Sequence, residues 1–138
     1  GRDTGAIADG EHEKDINLQL ALVLRERLEG AGFRVVLTRW DDSTVSVAER
    51  VRIANQELGA VLLSLHVEAS SHLGAGHVEL VSAVNPSPLS TRLSNALVGS
   101  LSSAMPRAEV EQKQASFKIL ADTRIGALMP RCPDAEIR

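Results

Sequence analysis

The sequence predicts an α/β fold: a three-layer sandwich with a largely parallel central sheet flanked by helices. Three observations carry this. Helix-like and strand-like patterns alternate in the order helix, strand, helix, strand, strand, helix, strand, the order that builds sheets covered on both faces. Residues 61–65 form a nearly unbroken apolar run, which suits a strand buried on both sides. A chain of 138 residues, 43% apolar and 24% charged, has the size and composition of one globular domain.

Residues 16–28 read as the first helix, because Ile16, Leu20, Val23, Leu24 and Leu28 fall on one face and Gly30 and Gly32 stop it. Residues 33–38, Phe-Arg-Val-Val-Leu-Thr, follow as a strand of large and β-branched side chains. Residues 40–45 are polar and turn-like. Ser46 with Glu49 forms a capping-box pattern that opens a second helix to about Leu58, with Val47, Val51 and Ala54 facing inward and Gly59 ending it. The apolar strand 61–65 comes next, then a loop over 66–76 rich in Ser, Gly and Ala, then a strand over 77–81. Ser87 caps a long helix that begins at Pro88; Leu89, Leu93, Leu97, Leu101 and Met105 make its stripe, and Pro106 ends it. Residues 117–120 read as the last strand. In such a sheet the chemistry gathers beyond the carboxyl ends of the strands, so the loops after Leu37 and Leu65 are the places to look.

Composition removes several function classes. A net charge of −3 gives no electrostatic reason to expect nucleic acid. No apolar stretch reaches the roughly 18–20 residues of a membrane helix. The single cysteine, Cys132, allows no internal disulfide, and with no evident base beside it reads as incidental. Phe33, Trp40 and Phe117 are the aromatic residues, few rings for stacking bases or sugars. There is no Gly-x-Ser-x-Gly elbow for a serine nucleophile. Gly74-Ala75-Gly76 does not open a helix after a strand, so it is a poor phosphate cradle. Arg25, Arg27, Arg50 and Arg52 read as solvated helix faces.

Two residues stand out chemically. His66 ends the most apolar strand, where a ring nitrogen would enter the crevice; a half-buried histidine with a backbone partner explains the position equally well. Glu13 lies just before the first helix, where a carboxylate also suits the helix dipole without any further role. Glu11 and His12 are its neighbours and compete with it. Together, a carboxylate and an imidazole could serve one divalent ion, but a catalytic zinc site uses three protein ligands. The other histidines, His12, His72 and His77, make no recognisable zinc spacing with another residue.

Four stretches resemble the zinc-dependent N-acetylmuramoyl-L-alanine amidases of type 3, which act on bacterial cell walls. Gly1-Arg2-Asp3-Thr4-Gly5-Ala6 is similar to the segment after that family's first ligand, and Glu13-Lys14-Asp15-Ile16-Asn17-Leu18 to its glutamate-bearing helix start. Val36-Leu37-Thr38-Arg39, with Val47-Ala48-Glu49-Arg50-Val51-Arg52-Ile53-Ala54-Asn55, resembles its second strand and helix. Ser64-Leu65-His66-Val67-Glu68-Ala69 resembles its Ser-Ile-His-Ala-Asn/Asp-Ala signature. The order and spacing agree from residue 1 to about 120.

The resemblance implies that Glu13 and His66 are zinc ligands. It implies a peptidoglycan substrate, cleavage between N-acetylmuramic acid and L-alanine by a zinc-activated water, and work outside the cytoplasm. It also makes residues 1–138 one amidase-like domain, incomplete at both ends. The family's remaining ligand is a histidine in a Gly-His-Gly-Gly turn whose last glycine matches Gly1, and His12, His72 and His77 do not match its position. With two ligands, weak metal affinity is expected of this chain. The family's catalytic glutamate ends its last strand. Aligned without gaps from Phe117, that position falls on Arg131; aligned on Met129-Pro130, it falls near Ala135, one residue before Glu136. The prolines and charges of residues 126–136 read as a poor buried strand. Glu136 is a candidate acid/base, an exposed tail residue being the alternative, and the catalytic residue stays unassigned. Two other readings stand beside hydrolysis: a non-catalytic relative that binds or regulates at the cell wall, and a plain α/β domain with an unrelated small ligand.

Overall fold

The computed structural model describes residues 2–5, 7–8, 11–68 and 76–133. Gly1, His72, Gly74, Ala75, Ala135 and Glu136 lie outside the described residues, and the readings attached to them stop at the sequence.

Caps decide where the chain turns helical. Helix α1 (Glu13–Gly30) begins three residues before its apolar periodicity, with Glu13 and Asp15 in the first turn, where the helix dipole favours negative charge. Helix α2 (Val47–Gln56) starts after Ser46, whose Oγ accepts the Glu49 N–H at 3.2 Å. Helix α3 (Pro88–Ala104) starts after Ser87, whose Oγ accepts the Ser90 N–H at 3.1 Å. Two short strands, β1 (Ile7–Ala8) and β2 (Glu11–His12), form an antiparallel ribbon ahead of α1.

The main sheet comprises β3 (Val61–Leu63), β4 (His66–Glu68), β5 (His77–Ser82), β6 (Glu109–Gln114) and β7 (Gly126–Pro133). Its order is β3–β7–β5–β6, with β4 also on β7. Strands β3 and β4 run parallel to β7, and β5 runs parallel to β6, while β5 and β7 are antiparallel. The α/β expectation holds, with a mixed sheet that is mostly parallel.

The interior forms two clusters, one on each face of the sheet. On one face Val78, Leu80 and Leu128 pack under Leu93, Leu97 and Leu101 of α3. On the other Val81, Ala127 and Met129 pack against Val51 of α2 and against Ile119 and Leu120 of the single-turn helix α4 (Lys118–Ala121). The alternation of Ala127, Leu128 and Met129 between faces is the ordinary period of a strand.

Several sequence expectations are corrected. Residues 117–120 are a helical turn: the Leu120 and Ala121 N–H groups both donate to the Phe117 carbonyl. A run of four residues, three of them apolar, does not separate a strand from a helical turn. Residues 33–38 belong to no strand, because among the described residues no strand runs beside them to supply a ladder. The strand expected over 61–65 breaks after Leu63 and resumes at His66, and β3 is half-buried and pairs, among the described residues, along one edge. Val23 and Val47, expected to face inward, are 55% and 42% exposed. The largest difference is β7. Residues 126–133, expected to be a poor buried strand, form the strand on which β3, β4 and β5 all pair. Pro130 has no N–H to donate, and it lies opposite the break between β3, which stops beside Leu128, and β4, which starts beside Arg131.

Beyond Val81 and Met129, the paired positions on the same face become charged. Glu79 of β5 lies opposite both Arg131 of β7 and Glu111 of β6. Its side chain is 5% exposed. The Lys113 ammonium donates to Glu79 Oε1 at 2.5 Å and Arg131 Nη1 donates to Oε2 at 3.0 Å. Burial pushes the Glu79 carboxyl up, but the Lys113 hydrogen bond and the charges of Lys113 and Arg131 outweigh it and hold the group below its usual range.

Two outcomes follow for stability. Leu128→Ala, at a fully buried position, is expected to cost about 2–5 kcal/mol, and Ser46→Ala about 1 kcal/mol, both read from urea unfolding. A Leu128 variant no less stable than the Ser46 variant would contradict the two-cluster core. Because the folded carboxyl of Glu79 lies below its unfolded value, its contribution is fully present above about pH 4.3. That contribution is lost as pH falls through the folded value. Glu79→Gln, which cannot titrate, should start less stable at neutral pH and decline less steeply below about pH 4.3; an unchanged acid slope would exclude this role.

Candidate metal centre

The first turn of α1 is fastened on several sides. The Lys14 N–H donates to the Thr4 carbonyl at 3.2 Å. The Lys14 ammonium lies 2.7 Å from Asp42, and the Arg39 guanidinium donates to the Lys14 and Asp41 carbonyls. Trp40 lies under the Arg25 guanidinium, 4.5 Å from ring centroid to carbon. The loop after Leu37, one of the two expected to carry chemistry, thus braces the helix start. The other, after Leu65, delivers His66.

Glu13 and His66 meet. His66 Nδ1 lies 3.0 Å from Glu13 Oε1, and Asn17 Nδ2 donates to the same oxygen at 3.2 Å. The Glu13 and His66 side chains are 13% and 32% exposed. The other ring nitrogen, Nε2, lies 3.4 Å from Ser64 Oγ. Such a contact orients an imidazole and leaves Nδ1 facing the carboxylate. The other Glu13 oxygen abuts the turn at Gly5: a Cβ placed on Gly5 would lie 2.3 Å from Glu13 Oε2.

These two residues fit a zinc ion as a pair of ligands, since a carboxylate oxygen and an imidazole nitrogen 3.0 Å apart can both reach one centre at about 2.0–2.2 Å. Among the described residues no third His, Cys, Asp or Glu ligand atom joins them. His12, at the N-cap of α1, has a buried Nδ1 with no hydrogen-bond partner among the described residues, but it is not part of the pair. The Glu11 side chain lies outside the described residues.

A second cluster, which spacing did not disclose, sits at the far end of the charged row. His77, Glu79 and Glu111 offer ligand atoms within 4.8 Å of one another and could hold a metal ion. His77 Nε2 lies 3.7 Å from Glu79 and 3.5 Å from Glu111, too far for hydrogen bonds. Lys113 already bridges the two carboxylates, at 2.5 Å and 3.2 Å, so an ion there would have to displace an ammonium. The available sequence signal was the alternation of Glu109, Glu111 and Lys113 along a polar edge strand.

Arg131 connects the two regions. It is the Cα partner of His66 on one side of β7 and of Glu79 on the other. Paired residues project to the same face of a sheet, so His66, Arg131, Glu79 and Glu111 form one row across four strands. The Arg131 guanidinium also lies 6.0 Å from the Phe117 ring centroid. Cys132, next along β7, is half-buried, and burial pushes its thiol up, which suppresses the reactive thiolate.

Comparison with known proteins bears on the family and the fold. The N-acetylmuramoyl-L-alanine amidase family of type 3 matches residues 1–132. The N-acetylmuramoyl-L-alanine amidase CwlM of Bacillus licheniformis is 32% identical over 131 residues, covering 94% of this chain and 51% of the relative. The sporulation-specific N-acetylmuramoyl-L-alanine amidase of Bacillus subtilis is 31% identical, covering 94% of this chain and 50% of the relative. This chain therefore spans about half the length of these two curated relatives. Among solved structures, an N-acetylmuramoyl-L-alanine amidase from Clostridium difficile 630 superposes with a TM-score of 0.84 at 25% identity, over 94% of this chain and 72% of that one. By the extent of the family match and the shared fold, this chain belongs to the type 3 N-acetylmuramoyl-L-alanine amidases.

Proposed function

We propose that this chain hydrolyses the amide between N-acetylmuramic acid and L-alanine in bacterial peptidoglycan, outside the cytoplasm, with zinc held by Glu13 and His66. One observation carries the reading: a carboxylate from the start of α1 and an imidazole from β4, 53 residues apart in sequence, converge to 3.0 Å. The names of the relatives supply the bond to be cleaved, and the location follows from that substrate, which lies outside the cytoplasm. Among the described residues no helix is long and apolar enough to cross a membrane. We also infer that residues 1–138 form one amidase-like domain that further chain completes. Its support is the outer edge of β3, which carries no strand among the described residues.

The roles divide as follows. Zinc, when bound, supplies a Lewis acid that polarises the scissile carbonyl and lowers the pKa of a water towards about 7. Glu13 contributes Oε1 and His66 contributes Nδ1, with the His66 ring oriented by Ser64. Proton transfer from the attacking water to the leaving amine needs a general acid/base within hydrogen-bond reach. Arg131 cannot serve, because a guanidinium does not give up its proton in proteins. Glu136, outside the described residues, keeps that role as a candidate.

A second reading, a module that holds peptidoglycan without cutting it, is favoured by Arg131 itself. The residue in register with His66 is a fixed cation, ion-paired to a buried carboxylate.

Dye release from labelled peptidoglycan, with zinc and with chelator, separates the two. Hydrolysis predicts zinc-dependent release that Glu13→Ala and His66→Ala abolish; full release by both variants would sink it. Arg131→Glu should raise release by on the order of 100-fold, the lower end of what a positioned acid/base contributes. Binding to sacculi with no release in any condition would establish the second reading.

A further inference from the structure

We propose that Gly5 is a positioning residue for the metal centre: its missing side chain lets the turn before α1 close on the outer oxygen of Glu13, so that Glu13 offers only Oε1 to His66 and to an ion they share. The inference rests on the ligand reading above for its link to zinc. The geometric part stands without it.

Three observations carry the proposal. Gly5 has φ of +66°, a left-handed conformation that glycine adopts without penalty. The turn is tied down, since the Gly5 N–H donates to Asp3 Oδ1 at 3.0 Å and the Thr4 carbonyl accepts from Lys14. A Cβ at position 5 would lie 2.3 Å from Glu13 Oε2, 2.7 Å from its Cβ and 3.0 Å from its Cδ. Real Cβ atoms do not approach this closely, and Glu13 cannot swing away without leaving Oε1's contacts with His66 and Asn17. The two ends of one carboxylate are therefore assigned: Oε2 to the turn and Oε1 to the centre. A carboxylate held this way binds an ion through one oxygen, which keeps coordination positions for a water and a substrate carbonyl.

Gly32 supplies the control. It too has positive φ, +88°, but a Cβ there meets nothing within 4 Å. Alanine at either position strains the backbone, whereas alanine at position 5 also collides with Glu13. The test is a double-mutant cycle in metal-free protein, with thermal and urea unfolding of Gly5→Ala, Glu13→Gly and the double variant, and Gly32→Ala alongside. Gly5→Ala should destabilise more than Gly32→Ala in the otherwise unaltered chain, and no more than Gly32→Ala in the Glu13→Gly background, where the Cβ that would lie 2.7 Å away is also gone. If Gly5→Ala alone fails to fold, recovery in the double variant gives the same answer. Additive effects would overturn the proposal. A calorimetric zinc titration then addresses the centre. Gly5→Ala should weaken zinc binding by about 10-fold or more, while Gly32→Ala leaves it unchanged. Equal affinities for the two would also overturn the positioning role. Should the unaltered chain take up no zinc, the ligand reading fails, and the cycle still decides whether Gly5 and Glu13 are coupled.

Discussion

Everything in the sheet depends on the pairing of β7. Strands β3 and β4 hydrogen-bond to one of its edges and β5 to the other, while β6 reaches the sheet through β5. Its side chains feed both interior clusters, Leu128 on one face, Ala127 and Met129 on the other. Its register also lays out the chemistry, because Arg131 fixes which residue of β4 and which residue of β5 come to lie beside it. A shift of one residue would turn this row to the other face of the sheet. The apolar packing that pins β7 is therefore also what aligns the charged row.

That row has two unlike ends. At one, Glu13 and His66 face each other with the donor types a metal prefers. At the other, Glu79 is buried and saturated by cations carried on the protein itself. Arg131 stands between them. Its guanidinium places a positive charge in register with His66. A carboxylate there would sit near Glu79 and repel it; the arginine instead neutralises it, which suits the buried network.

Much of this was legible in the sequence, and the rest has physical reasons for being hidden. The helices were readable because their signals are local: Ser46 and Ser87 cap them, and leucines recur at helical spacing along α3. Strands are different, since a strand needs a neighbour. Residues 33–38 have strand composition and, among the described residues, no partner strand, while residues 126–133 carry two prolines and an arginine yet are paired on both edges. Pro130 is tolerated because the ladder breaks beside it. Of the site, Glu13 and His66 were singled out by position and by family resemblance, and the structure brings them together. Gly5 left no trace in spacing or periodicity, because its importance lies in the atoms it lacks. The Glu79 cluster was hidden because it joins three strands that are distant in sequence.

The late position of β7 has a consequence for how the protein is made. Strands β3 and β4 emerge from the ribosome some sixty residues before the strand they pair with. Until residues 126–133 follow, β5 and β6 can pair with each other, but neither can be joined to β3 or β4. Helices α1, α2 and α3 can form as they appear, since their hydrogen bonds are local. The sheet, and with it the row from His66 to Glu111, must wait for residues 126–133. The nascent chain therefore carries Glu13 and His66 without the strand that aligns His66 until β7 has been made.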